Sequence, residues 1–268
     1  MKDKYVAKFI CRIFFVILLI AIFSIGATGS ESDQITISDI YSDVKSCDVT
    51  LESNVAFQNL TLKFQLLDDE NLIDEKELII PNLRPESKNI QVVSWDAKNP
   101  DRGLYKVSVQ LLQDGSVIAP KNHSFSYGSP TIPRIVVDDV IANSNGLSLM
   151  INPKESVIAD VEYMLVNDSE VIYTAEDKRI SLHTQSLELS KKWGVLLENN
   201  KNYKGRVKLN LYNPVESVSA YMTSFTAKDD AVITDVYKDE LGSSVTIAGD
   251  SQVPFEGFLK FTVTHNEN

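Results

Sequence analysis

The chain has 268 residues and 43% of them are hydrophobic, enough to fill packed cores and too many for a disordered polypeptide. Its 37 acidic and 26 basic side chains give a net charge of −11, a surface that repels nucleic acid and anionic lipid. Eleven glycines, with no Walker A loop, no Gly-x-Gly-x-x-Gly and no Gly-x-Ser-x-Gly, argue against a phosphate-cradling loop or a hydrolase elbow.

The N-terminus reads as a separate segment. Lys2, Lys4, Lys8 and Arg12 precede Ile13–Ile25, an apolar run of 13 residues, and the small residues Gly26–Gly29 follow. This order predicts a secretory signal peptide over residues 1–29, with Ala27 and Gly29 at the −3 and −1 positions of a cut before Ser30. A helix that crosses a bilayer needs about 20 apolar residues, so cleavage is preferred to an uncleaved anchor. In either case the remainder lies outside the cytoplasm, secreted or at the cell surface, and only an uncleaved segment would touch the membrane. Residues 1–29 carry a net +3, so the chain after them carries −14. Cys11 falls inside the leader, which leaves Cys47 alone and permits no intrachain disulfide. Cys47 reads as a half-buried small residue, with an intermolecular disulfide or a lipid attachment as the alternative.

Beyond residue 34 the chain alternates apolar and polar residues in short runs. Thr36–Ile40, Leu60–Leu67, Leu78–Ile80, Ile90–Trp95 and Val107–Leu111 are strands by this criterion. Leu147–Ile151, Val161–Val166, Ser186–Leu189 and Val207–Leu211 continue the series. Turn residues such as Asp68-Asp69, Asp114-Gly115, Asn145-Gly146 and Asn213-Pro214 separate them. Only the stretch from Ser190 to Asn199 suggests a helical turn. The fold class is all-β.

The same landmarks recur about every 98 residues. ISDIYSD at 37–43 returns as ITDVYKD at 233–239, with a weaker copy, IVVDDVI, at 135–141. Leu62–Leu66 matches Val161–Leu165, Tyr105 matches Tyr203, and Ser124–Ser126 matches Ser224–Thr226. Such a period suits a β-sandwich and is too long for a solenoid. Module one is therefore drawn at 34–127 and module two at 135–227, joined by the proline-containing stretch 128–134, which reads as a stiff connector favouring an extended arrangement. A third copy, 231–268, has counterparts of only three strands, at Val232–Tyr237, Ser244–Ala248 and Phe258–Thr264. Three strands cannot close a sandwich core. The partial module packs on module two, pairs strands with another chain, or belongs to a shortened relative of a longer protein.

Tyr105 and Tyr203 each open a late strand, in the place of a tyrosine corner. With the Leu-rich strand at 60–67, the Leu83-Arg84-Pro85 break and the strand ending in Trp95, they carry a resemblance. Residues 60–115 resemble the cell-adhesion-related, fibronectin-III-like and immunoglobulin-like modules of archaeal and bacterial surface proteins. Module two departs from the pattern: it lacks the Gly before its Tyr and has KKWGVLL at 191–197 in place of the Trp95 region. The resemblance implies tandem immunoglobulin-like β-sandwiches displayed on a surface for adhesion or scaffolding, and supplies no catalytic residues.

Residue chemistry agrees with a protein that is not an enzyme. His123, His183 and His265 fall in three different modules, without the spacing of a transition-metal site. Asp68-Asp69-Glu70, Asp138-Asp139 and Asp229-Asp230 read as solvated turn acids, with calcium at a module joint as the alternative. No catalytic, cofactor-binding or metal residue is assigned, and no cofactor is expected. Three Asn-x-Ser/Thr sequons, at Asn59, Asn122 and Asn167, are candidate glycan acceptors at strand ends or loops. The leading expectation is a non-enzymatic exported spacer, adhesion or envelope-assembly protein, its partners other surface proteins or an envelope polymer. The alternative is a carbohydrate- or polymer-binding accessory module, for which Tyr212, Tyr221 and Tyr237 are the nearest aromatic candidates; a hydrolase is the third class.

Overall fold

The computed structural model describes residues 34–128, 133–212 and 216–262. The expected leader, residues 1–29, lies outside them, as do the middle of the connector and His265. Among the described residues every regular element is a strand, and no helix is long and apolar enough to cross a membrane.

Module one packs two antiparallel sheets. One has the order β1 (Ile35–Ser42), β2 (Ser46–Ser53), β5 (Asn89–Ser94); the other has the order β4 (Asn71–Leu83), β3 (Phe57–Asp68), β6 (Gly103–Gln113), β7 (Ser116–Tyr127). Module two repeats both orders. Strands β8 (Ile135–Ala142), β9 (Gly146–Pro153) and β12 (Leu187–Lys192) form the three-stranded sheet. Strands β11 (Glu170–Leu182), β10 (Val157–Asn167), β13 (Asn202–Tyr212) and β14 (Ser217–Thr226) form the four-stranded one. The duplication read from the sequence is thus a duplication of topology.

Alternation builds each core. Val49, Leu51, Leu60, Leu62, Phe64, Leu66, Val107 and Val109 meet inside module one. Leu149, Ile151, Val161, Tyr163, Leu165, Val207 and Leu209 meet inside module two. Each core is closed by the same aromatic pair. Tyr105 stacks on Phe125 with ring centroids 5.6 Å apart, and Tyr203 on Phe225 at 5.9 Å. Both tyrosine hydroxyls tie back to upstream backbone: Tyr105 donates to the Asp101 carbonyl at 2.8 Å, and Tyr203 accepts from the Glu198 N–H at 3.2 Å.

Trp193 occupies the place of Trp95. The Trp95 N–H donates to the Lys45 carbonyl and the Trp193 N–H to the Asn145 carbonyl, at 2.9 and 3.0 Å. Their indoles donate to Ser42 Oγ and to the Asn143 carbonyl. The helical turn expected over Ser190–Asn199 does not form. Residues to Lys192 extend β12, and Trp193 then turns into the core, where Leu197 is also buried.

The opening hairpin occurs three times with one irregular register. Pairing skips a residue between Ile37 and Asp39, between Val137 and Asp139, and between Ile233 and Asp235. The turn that follows is also shared. The side-chain oxygens of Asp43, Asn143 and Asp239 each accept two backbone N–H groups, from Lys45 and Ser46, Asn145 and Gly146, and Leu241 and Gly242. A short acceptor two residues before the turn's end mimics a backbone turn, which is why Asp or Asn recurs there. Asp43 and Asp239 are thus turn residues.

The third copy stops after β15 (Val232–Lys238) and β16 (Ser243–Ala248). The strand expected from Phe258 is absent from the described residues, which run without regular structure to Thr262. The reason lies in the topology. The third strand of each module pairs with its fourth and sixth, not with its second, and the described residues after β16 contain no such partner strands. The segment after β16 returns to module two instead. Gln252 donates its N–H to the Ser144 carbonyl and accepts from the Leu197 N–H, and Val253 is buried in the module-two core.

Removing either tyrosine hydroxyl deletes a part-buried hydrogen bond to the backbone, so Tyr105→Phe and Tyr203→Phe should each lower stability by about 1 kcal/mol in urea titration. Equal loss in both variants is the expected mark of a duplicated corner.

Candidate functional site at the face between the modules

Strands β2 and β13 carry residues that alternation alone assigns to solvent. Ser46, Asp48 and Thr50 point away from the module-one core, and Arg206 and Lys208 away from the module-two core, yet all five are buried. They are buried against each other. Strand β5 touches β11 at the single bridge Gln91–Glu170, with the Val92 N–H donating to the Ser169 carbonyl at 2.7 Å. This bridge joins two sheets into one of seven strands, β1-β2-β5-β11-β10-β13-β14. In a flat sheet β2 and β13 would stand four strand spacings apart, about 19 Å. Arg206 Nη2 instead lies 2.5 Å from Asp48 Oδ2. The sheet therefore folds over along the β5–β11 seam, and the outer face of β1-β2-β5 covers the outer face of β11-β10-β13-β14.

The extension favoured by the connector's prolines is corrected by this packing. The modules lie side by side, held at the β5–β11 seam and between β2 and β13.

Arg206 has no solvent exposure. Its Nη1 donates to Ser46 Oγ at 2.6 Å and its Nη2 to Asp48, while Nε has no partner among the described residues. Lys208 Nζ is 3.4 Å from both Asp48 Oδ1 and Asp39 Oδ2. The Tyr41 ring faces both cations, 5.9 Å from the guanidinium carbon and 5.2 Å from the ammonium. Beside this polar group lies an apolar one of Ile90, Val92 and Val166, with Val171 and Met222 packed on it.

Burial sets the electrostatics. Burial alone would push the Lys208 ammonium down, but Asp48, Asp39 and Glu162 hold it above its usual value. The Tyr41 hydroxyl is pushed up by burial and then by Asp43. Half-buried Glu162 is also pushed up by burial, against the pull of Lys208 and Lys88. His123, on β7, is pushed down by burial. Two cations, Arg206 and Lys208, meet two carboxylates, Asp48 and Asp39, between the sheets; the group holds surfaces together, and its charges are spent on one another.

Sequence differences between the modules explain why this face docks. Where module two has Met164, Arg206 and Met222 in one row across β10, β13 and β14, module one has Gln65, Ser108 and Asn122. Where module one has Tyr41, Asp48 and Val92 in one row, module two has Ile141, Ser148 and Ser190. Each docking face thus has one copy in modules one and two.

The residues singled out in the sequence are scattered over the block. Asn59 and Asn122 are exposed. Asn59 sits at positive φ near the start of β3, and Asn122 in the middle of edge strand β7 rather than at its end. Asn167 is half-buried at the seam with its Oδ1 unpartnered, beside a cleft of about 290 Å³ lined by Asn82, Asn89, Gln91 and Glu170. Cys47 is buried in the module-one core and burial pushes its thiol up, so a disulfide or lipid link there requires the module to open. His183 is exposed.

The three tyrosines do not form a row. Tyr212 donates to Asp160 Oδ2 at 2.8 Å beneath Arg179, Tyr221 packs on the module-two core, and Tyr237 is exposed on β15. Asp230 is engaged by the backbone N–H groups of Asp250 and Ser251, which hold its carboxyl below the usual range. No group of three or more His, Cys, Asp or Glu able to hold a metal occurs among the described residues.

No family model matches the chain, and no curated protein matches it. Similar solved structures are a red sea bream transglutaminase, with 8% identity and a TM-score of 0.29 over 72% of this chain and 31% of that one. An exo-chitosanase of Amycolatopsis orientalis has 12% identity and a TM-score of 0.27 over 68% of this chain and 26% of its own. An Escherichia coli alpha-2-macroglobulin activated by porcine elastase has 10% identity and a TM-score of 0.26, covering 75% and 23%. The chain spans less than a third of the length of each.

Removing one partner of the buried pair is costly because it strands the other charge. Asp48→Ala or Arg206→Ala should destabilise the docked state by about 3–5 kcal/mol, and Asp48→Leu with Arg206→Met by much less. Urea titration followed by small-angle scattering reads both, the single variants expanding before they unfold. Glu162 gives a pH-dependent case. Its folded pKa lies above its unfolded one, so its ionisation costs stability as pH rises through the raised value and costs nothing below the unfolded value. Glu162→Gln should raise the melting temperature near pH 7 and leave it unchanged below about pH 4.

Proposed function

We propose that this chain is a non-enzymatic exported protein of the cell surface. Its tandem immunoglobulin-like, fibronectin-III-like sandwiches serve adhesion or envelope assembly as a rigid block. The observation that carries this reading is the interface itself. A buried arginine–aspartate pair, a second cation and an apolar patch hold two sandwiches in one fixed arrangement, which suits a load-bearing or presenting element better than a flexible spacer. The strand order supports the immunoglobulin-like type: three strands face four in each module, and a tied tyrosine opens the sixth strand of both. The acidic surface and the apolar leader support export. Its partners on this reading are other surface proteins or an envelope polymer. The scattered positions of Tyr212, Tyr221 and Tyr237 give the glycan-binding alternative no platform.

The experiment is expression of the full chain in an exporting host, with intact-mass analysis of the released or surface-bound product and protease treatment of whole cells. A product that begins at Ser30, or an intact chain cut from outside, is the expected result. Retention in the cytoplasm with residues 1–29 in place and protected would overturn the proposal.

A further inference from the structure

The phrases at 37–43 and 233–239 share a tyrosine that the intervening copy lacks: Tyr41 in module one, Tyr237 in the third hairpin, Ile141 in module two. The register makes the three positions equivalent. Tyr41 faces Asp48, Tyr237 faces Ser244, and Ile141 faces Ser148. Two pairs along, on the same face, Asp39 faces Thr50 and Asp235 faces Thr246. In module one both side chains belong to the docking face. Tyr41 lies over Arg206 and Lys208, and Asp39 pairs with Lys208. In the third hairpin the same two places are open, with Tyr237 58% exposed and Asp235 also exposed.

We propose that the outer face of β15–β16 is a second docking face of the module-one kind, and that it receives a β-sandwich from another chain. The partner presents an arginine and a lysine two residues apart on one strand, as Arg206 and Lys208 are presented. Charge and shape complementarity select it: an aromatic ring for the two cations, and a carboxylate beside it for the lysine. Serine replaces the buried carboxylate, Ser244 standing where module one has Asp48. The new contact therefore lacks the buried ion pair and is weaker than the one inside the chain. Module two keeps the carboxylate, as Asp139, and lacks the ring, with Ile141 in its place.

The test uses the chain itself as the probe. Tyr41→Ala with Asp48→Ala opens the Arg206–Lys208 face, and Asp235→Lys with Tyr237→Ala in the same molecule prevents it from binding itself. This probe is titrated into isotope-labelled wild-type full chain. Amide shifts concentrated between residues 232 and 248 and saturating with probe are expected. In a labelled Asp235→Lys/Tyr237→Ala chain the midpoint should weaken about tenfold or more. Absence of shifts in β15–β16, or shifts indifferent to those two substitutions, would overturn the proposal. A second probe, opened by Ile90→Asp and Val92→Asp on β5, leaves Arg206 and Lys208 intact. The probe whose circular dichroism matches wild type is the one scored.

Discussion

The arrangement of the described residues depends on one guanidinium. Arg206 stands on the outer face of β13 with no water to solvate it, so the structure must supply a carboxylate, and Asp48 on β2 is the one it supplies. A buried pair of this kind adds little stability over a well-packed apolar pair, because both charges have been taken out of water. What it adds is discrimination. Any sliding of β2 against β13 strands two charges at once, whereas Ile90, Val92, Val166 and Met222 would tolerate a shift. The apolar patch supplies attraction between the modules and the ion pair fixes their register.

Much of the fold was legible in the sequence, for a physical reason. Sandwich strands need one apolar face, and period-two alternation writes that face directly, as in Val107, Val109 and Leu111 against Lys106, Ser108 and Gln110. The repeat was legible because bulge, Asx turn and tyrosine corner are local devices with fixed residues. Trp193 was missed because two lysines and a glycine around it read as a helical turn. Lys192 is the outward residue at the end of β12, Lys191 is half-buried over the Tyr163 ring and pairs with Asp177, and the glycine lies against the ring of Tyr173.

The interface was not legible, because its chemistry imitates solvent exposure. Ser46, Asp48, Arg206 and Lys208 alternate with core residues as any wet strand face would. The available signal lay in their neighbours. Tyr163–Val166 and Ile90–Val93 contain successive apolar residues, which a strand places on both of its faces. A strand apolar on both sides is covered on both sides, and two such strands in different modules are candidates to cover each other.

The third hairpin separates what local sequence specifies from what packing adds. It has the same bulge and the same capped turn as the other two copies, although Ile233 and Val236 are more than half exposed where Ile37 and Ile40 are buried. The core is therefore not what sets the hairpin's register. The turn and the bulge set it, with short loops that cost little closure entropy. The third strand of modules one and two pairs across a two-residue turn with the fourth and, after a long connection, with the sixth, whereas the described residues 258–262 take no regular form. Pairing within the hairpin is a property of about 17 contiguous residues, while closing the second sheet is a property of the whole module.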